Sequence, residues 1–192
     1  MTARVLLLMC IALIATAFAV AQGDPHAAET AKANALIKSG NQKMRDGDFD
    51  GAIADFNEVI KIDKIFPENV QSATYLNRGL AFQKKGDLDA ALADINKAIK
   101  LSSNNVYAYQ NRAGLHEKRK EIDEALADYN KAIKLNSKFP FAYRGRGLIL
   151  LKQGKDSEAD ADFAKYLQLY PDGKDSLEKQ IEEVKQKRVA KP

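Results

Sequence analysis

Few groups in this chain of 192 residues are suited to covalent or metal chemistry. The histidines are His26 and His116, and the one cysteine is Cys10. A metal site needs clustered imidazole, thiolate or carboxylate ligands, and the sequence has no such cluster. His26 lies in a polar stretch, and His116 falls on the packed side of an expected helix, which predicts a partly buried imidazole. There is no nucleophile elbow, no phosphate-cradling glycine loop and no H-E-x-x-H pair. Paired carboxylates such as Glu182 and Glu183 fall on a solvated face with no pocket to shift their pKa values. The expectation is a protein that is not an enzyme and carries no cofactor and no metal.

The charged groups that recur do so in register. Asp55, Asp94, Asp128 and Asp162 stand at intervals of 39, 34 and 34 residues, and Arg78, Arg112 and Arg146 at intervals of 34. The favoured reading is structural: an arginine from the first helix of a repeat pairs with an aspartate of its own or the preceding repeat and fixes their register. The alternative leaves the arginines free for a ligand.

The elements that position these charges are themselves repeated. ADYNKAIKL at 127–135 nearly duplicates ADINKAIKL at 93–101, with weaker copies, ADFNEVIKI and ADFAKYLQL, beginning at Ala54 and Ala161. Gly40, Gly79, Ala113 and Gly147 share the register, as do Ala52, Ala91, Ala125 and Ala159. Tyr75, Gly79 and Phe82 follow i, i+4, i+7, and Leu88, Ala91, Leu92 and Ile95 follow i, i+3, i+4, i+7, so each repeat reads as two amphipathic helices. Gly47-Asp48, Gly86-Asp87 and Gly154-Lys155 separate the halves; glycine takes the left-handed conformation that ends a helix and aspartate caps the next. Lys120-Glu121 replaces the pair in the third repeat and predicts a less favourable turn. The small residues allow close helix crossing.

Self-similarity at this period resembles the tetratricopeptide repeat, with its aromatic, glycine, alanine and aromatic landmarks in phase. The resemblance implies an all-α, right-handed α-solenoid of four helix-turn-helix repeats over residues 31–171, with units near 33–66, 72–105, 106–139 and 140–173. Five extra residues at 67–71 are read as a loop insertion or, with Phe66, as an anchor at the groove's edge. Residues 174–192 read as a capping helix and tail, opened by a capping box at Asp175-Ser176-Leu177-Glu178 and carrying an apolar stripe of Leu177, Ile181 and Val184.

In this family the first helix of each repeat lines a concave groove. The resemblance thereby nominates Asn41, Leu76, Asn77, Leu80, Tyr107, Gln110, Asn111, Phe141, Arg144 and Leu148 as partner-binding residues, with Ile37 and Gly114 beside them. Amides there can bond the backbone of an extended peptide, and Tyr107 and Phe141 offer apolar contact. A branch of the family clamps the carboxyl-terminal tails of heat-shock chaperones; Asn41 and Asn77 match its asparagines, but Ile37, Tyr107 and Asn111 stand where its basic residues would be, so that clamp is not expected. A second cationic series, Arg45, Lys84, Lys118 and Lys152, suits the carboxyl ends of the first helices and would line one edge of the groove.

Residues 1–21 are of a different composition: Arg4, an uncharged apolar run over 5–20, then Ala19-Val20-Ala21. That pattern reads as a secretory signal cleaved after Ala21, shorter than a spanning helix, with a linker at 22–30 and structure from about Thr30. Cleavage would remove Cys10 and leave no stable membrane insertion. A formal charge of +4 from 30 basic and 26 acidic residues, with the signs interspersed, predicts no nucleic-acid partner. The expectation is an exported, most simply periplasmic, scaffold or adaptor for a protein or extended peptide. A permanent subunit of an envelope or secretion complex is the alternative.

Overall fold

The computed structural model describes residues 26–62 and 66–189. The expected signal segment, Cys10 and the start of the linker lie outside them. In chain order the elements are α1 (Ala27–Asp46), α2 (Phe49–Lys61), α3 (Glu68–Lys85), α4 (Leu88–Leu101), α5 (Val106–Lys118), α6 (Ile122–Leu135), α7 (Pro140–Lys152), α8 (Asp156–Leu169), a 3₁₀ turn (Pro171–Gly173) and α9 (Lys174–Val189). All regular elements among the described residues are helical, as the repeat pattern predicts. The chain divides into two compact units, 1–94 and 95–192, with the boundary inside α4.

Three starts differ from the sequence-based expectation. Helix α1 begins at Ala27, ahead of Thr30, and Ala27 and Ala33 are buried. Of the five extra residues before the second repeat, Pro67 precedes the helix and 68–71 add a turn to its start, so that α3 has 18 residues against 13 in α5 and α7. Pro67 stands at the helix entrance, Glu68 in the first turn complements the helix dipole, and Gln71 Nε2 donates to the Phe66 carbonyl at 2.8 Å. Helix α9 starts at Lys174, straight from the 3₁₀ turn, so Asp175 sits within its first turn instead of capping it.

Within each unit the small residues lie where helices cross. In the first, Ala52, Phe56 and Ala81 form a cluster flanked by Met44 and Ile53. In the second, Tyr109, Ala113, Ala125, Tyr129, Ala132 and Phe139 form one core, and Tyr143, Leu151, Phe163, Tyr166, Leu177 and Val184 form another. Tyr166, only 1% exposed, takes the place of Ala98 and Ala132 because its neighbour is α9, whose Leu177 and Val184 cover it. A Cβ on Gly145 would lie 2.2 Å from Tyr129 Cζ, so the absence of a side chain on α7 lets the tyrosine of α6 pass.

The helix turns obey the expected chemistry. Gly47, Gly86 and Gly154 have φ of 80°, 90° and 81°, and Lys120 takes the same left-handed conformation at 63°. Its turn is closed by Lys120 N–H to Glu117 O at 3.0 Å and Glu121 N–H to His116 O at 2.9 Å. Asp48 and Asp87 cap the following helices through the Gly51 and Ala90 amides, but Glu121 makes no such cap. Instead its carboxylate accepts from His116 Nδ1 at 2.6 Å and Arg119 Nε at 2.9 Å. Those bonds, His116 first, hold Glu121 below the ordinary carboxylate value.

The periodic arginines are structural. Arg78 donates through Nε and Nη2 to Asp94 at 2.7 Å each and through Nη1 to Asn57 at 2.6 Å. Arg112 repeats this with Asp128 and Asn96, all at 2.7 Å. Arg146 does so with Asp162 at 2.8 and 2.6 Å and Asn130 at 2.6 Å. Each guanidinium thus binds the aspartate of its own repeat and an asparagine of the preceding one. The aspartate bonds raise all three arginines above their ordinary pKa despite the opposing effect of burial. The first repeat has Ser39 at the arginine position, and Lys43 Nζ lies 2.8 Å from Asp55 Oδ2. Burial pushes the Asp55 carboxyl up, but hydrogen bonds from Lys43 and Ser39 outweigh it and leave it below the ordinary value.

Candidate functional site

In the first unit, Asn77 Nδ2 donates to Asn41 Oδ1 at 3.3 Å, a part-buried bond between α1 and α3. Ile37 and Leu80 are half-buried beside them, while Leu76 is only 7% exposed and offers little surface to a partner.

The second unit presents the more developed surface. Tyr107, at the start of α5, is 61% exposed. Gln110, Asn111 and Gly114 follow on the same helix and are half-buried, with Asn111 Nδ2 donating to the Tyr107 carbonyl at 2.8 Å. On α7, Phe141, Arg144 and Leu148 are half-buried. Rings connect the two helices: Tyr107 meets Phe139 edge-on at 5.2 Å between centroids, Phe139 meets Phe141 at 5.7 Å, and Phe141 meets Tyr170 at 5.7 Å. Tyr170 is 40% exposed. The Arg144 guanidinium lies 5.4 Å from the Phe141 centroid and 5.8 Å from that of Tyr166.

Phe139, Tyr166 and Tyr170 were not among the nominated residues. Phe139 and Tyr170 each stand directly before a proline that opens the next element, Pro140 and Pro171. That placement sends their rings to the repeat seams, a signal legible in retrospect.

Beyond Leu148 the surface runs into a cleft of about 620 Å³ between α7 and α9. Leu148 and Val184 give it apolar walls, and Lys152, Lys187, Arg188 and Glu183 its charges. Lys152 donates to Glu117 Oε2 at 3.1 Å, and Glu117 Oε1 accepts from Tyr129 at 2.8 Å. Burial first, then the Glu117 carboxylate, push the Tyr129 phenol far above its ordinary value, so it remains a hydrogen-bond donor. Of the second cationic series, Arg45 bonds Gln42 on its own helix, and Lys84 and Lys118 are exposed. His116 is half-buried, with Nε2 3.8 Å from Asp128 Oδ2. Among the described residues no group of three histidine, cysteine, aspartate or glutamate side chains is placed to hold a metal, and no helix is long and apolar enough to cross a membrane.

This combination of paired helices, small crossing residues and a repeating register defines a helical repeat protein. Tetratricopeptide-repeat sequence profiles match residues 72–105, 115–154 and 142–173. The chain belongs to the tetratricopeptide-repeat family. No curated protein sequence matches it. Among solved structures it is similar to MamA, at 23% identity over 83% of this chain and 96% of that one, with a TM-score of 0.63. It is also similar to pilF of Pseudomonas aeruginosa, at 20% identity over 83% and 70% of the respective chains, with a TM-score of 0.70. A third likeness is to the first TPR of Spaghetti (RPAP3) bound to the HSP90 peptide SRMEEVD, at 24% identity over 64% and 96%, with a TM-score of 0.56. At these identities the likeness establishes the fold.

Proposed function

We propose that this protein is a non-enzymatic interaction module that holds an extended segment of a partner protein against its first helices, and that it does so after export, in a periplasm. The observation that carries this reading is the aromatic run from Tyr107 through buried Phe139 and half-buried Phe141 to Tyr170, exposed at its two ends and flanked by the amide of Gln110 and by Arg144. Rings that pack against one another at their edges while two remain exposed offer rigid apolar contact at little entropic cost. A nearby amide can serve the backbone of an extended chain. The first TPR of Spaghetti, a protein of the same fold, is bound to a peptide, which supports a peptide as the kind of partner. Export is supported by the composition of residues 1–21.

The test is crosslinking of the full-length protein in its own cells, comparing wild type with a Tyr107→Ala, Gln110→Ala double variant. The variant is expected to fold with an unchanged melting curve and to lose the crosslinked partner. Retention of that partner by a folded variant would place the interface elsewhere. A partner that co-purifies in fixed ratio without crosslinking would instead indicate a permanent subunit.

A further inference from the structure

Four arginines lie on the helices of the second unit between Val106 and Lys152 or in the turn that follows α5: Arg112, Arg119, Arg144 and Arg146. Arg112 and Arg146 use their forks on aspartate and asparagine, and Arg119 is engaged with Glu121. Arg144 differs. Its guanidinium is stacked against Phe141 and Tyr166, and it makes no hydrogen bond or ion pair among the described residues.

A guanidinium held against ring faces is fixed in orientation while its N–H donors, which lie in its own plane, stay available. Such a fork matches the two oxygens of a carboxylate, and a pre-oriented one loses less entropy on pairing than a free side chain. The charge at this end of the surface is carried by Arg144 itself, since in the neighbouring cleft Lys152 is paired with Glu117, Arg188 with Asp156, and Lys187 is balanced by Glu183. Apolar surface lies on both sides of the charge, in Phe141 and Tyr170 at one end of α7 and Leu148 towards the other.

We infer that Arg144 is the ionic contact of this surface, and that the segment bound there is an acidic peptide carrying a carboxylate next to an apolar side chain. This rests on the interaction-module reading above and adds the chemistry of the partner. The asparagine pair on α1 and α3 has no part in it.

A displayed random-peptide library, panned on the full chain and counter-selected on the Tyr107→Ala, Gln110→Ala variant, tests it. The expected result is that peptides dependent on the surface are enriched in aspartate or glutamate beside an apolar residue. Arg144→Gln should weaken their binding about ten- to a hundredfold, the effect of losing a charged hydrogen-bonding pair, and Arg144→Lys should recover part of it. Surface-dependent peptides with no acidic excess would overturn the inference and leave the interaction surface standing, as would unchanged binding to a folded Arg144→Gln protein. Failure to recover any surface-dependent peptide would overturn both.

Discussion

Arg112 and Asp128, sixteen residues apart, meet through two parallel hydrogen bonds of 2.7 Å, and the remaining guanidinium nitrogen of Arg112 reaches back to Asn96. The aspartate is almost wholly buried while the arginine side chain is 24% exposed, so the pair is partly withdrawn from water and its geometry governs its value. Arg112→Lys keeps the charge but loses the fork, and is expected to cost about 1.5–3 kcal/mol of unfolding free energy in urea denaturation. Asn96→Ala should cost about 1 kcal/mol, because it removes one bond to a guanidinium that keeps its other two. Equal losses from both would show that the two contacts do not differ as the geometry implies.

Lys120→Gly is expected to stabilise the protein. Lysine holds φ at 63°, in the region where its Cβ is disfavoured, and the three equivalent turns use glycine. Relief of that strain exceeds the added flexibility of the unfolded chain by about 0.5–1 kcal/mol. A rise in the midpoint of chemical denaturation, with an unchanged slope, is the measurement to make.

Two glycines of the second unit should respond in opposite directions to the same substitution. Around a Cβ on Gly114 nothing lies within 4 Å, so Gly114→Ala should add about 0.4–1 kcal/mol by restricting the unfolded chain. A Cβ on Gly145 would lie 2.2 Å from the Tyr129 ring, so Gly145→Ala should cost about 1–3 kcal/mol. Adding Tyr129→Ile, the residue type found at the equivalent Ile95, should recover much of that loss in thermal unfolding.

Acid should erase the contribution of Lys43. The Asp55 carboxyl is depressed in the folded state, so the stability it confers is present above the unfolded value of 3.8 and is lost as pH falls through the lower folded value. Lys43→Met should therefore be less stable than wild type at neutral pH by up to about 1 kcal/mol, the scale of a partly exposed ion pair. The gap should close well below pH 3.8, and a gap that persisted there would assign the effect to packing.

Much of this architecture was legible in the sequence because packing repeats and surface choice does not. Gly40, Ala52 and their counterparts are dictated by helix crossing, which is the same in every repeat, so spacing alone exposes them. The unfavourable turn at Lys120 was legible for the same reason: one repeat departs from a rule the others keep. The long start of α3 was not, since five added residues look alike as loop or as helix until Pro67 and Glu68 are seen opening a turn. The part played by Asn57, Asn96 and Asn130 was not read from the sequence, where they fall on the polar side of their helices. Their absence at Ala164 and the absence of arginine at Ser39 were the available clues. Of the candidate site, Tyr107, Phe141 and Arg144 were nominated from the family pattern alone, and how their rings and charge combine depends on Phe139, Tyr166 and Tyr170, contributed by the seams and by α8.

The arginine fork has a consequence for how such a chain can grow. A middle repeat carries both halves of the junction: an arginine that looks back and an asparagine that waits for the next. A duplicate of residues 106–139 spliced in after the original would find an acceptor ahead of it and supply one behind it, with no compensating change. Only the ends need editing, and there the sequence has serine at 39 and alanine at 164. Extension by copying is thereby written into three side chains.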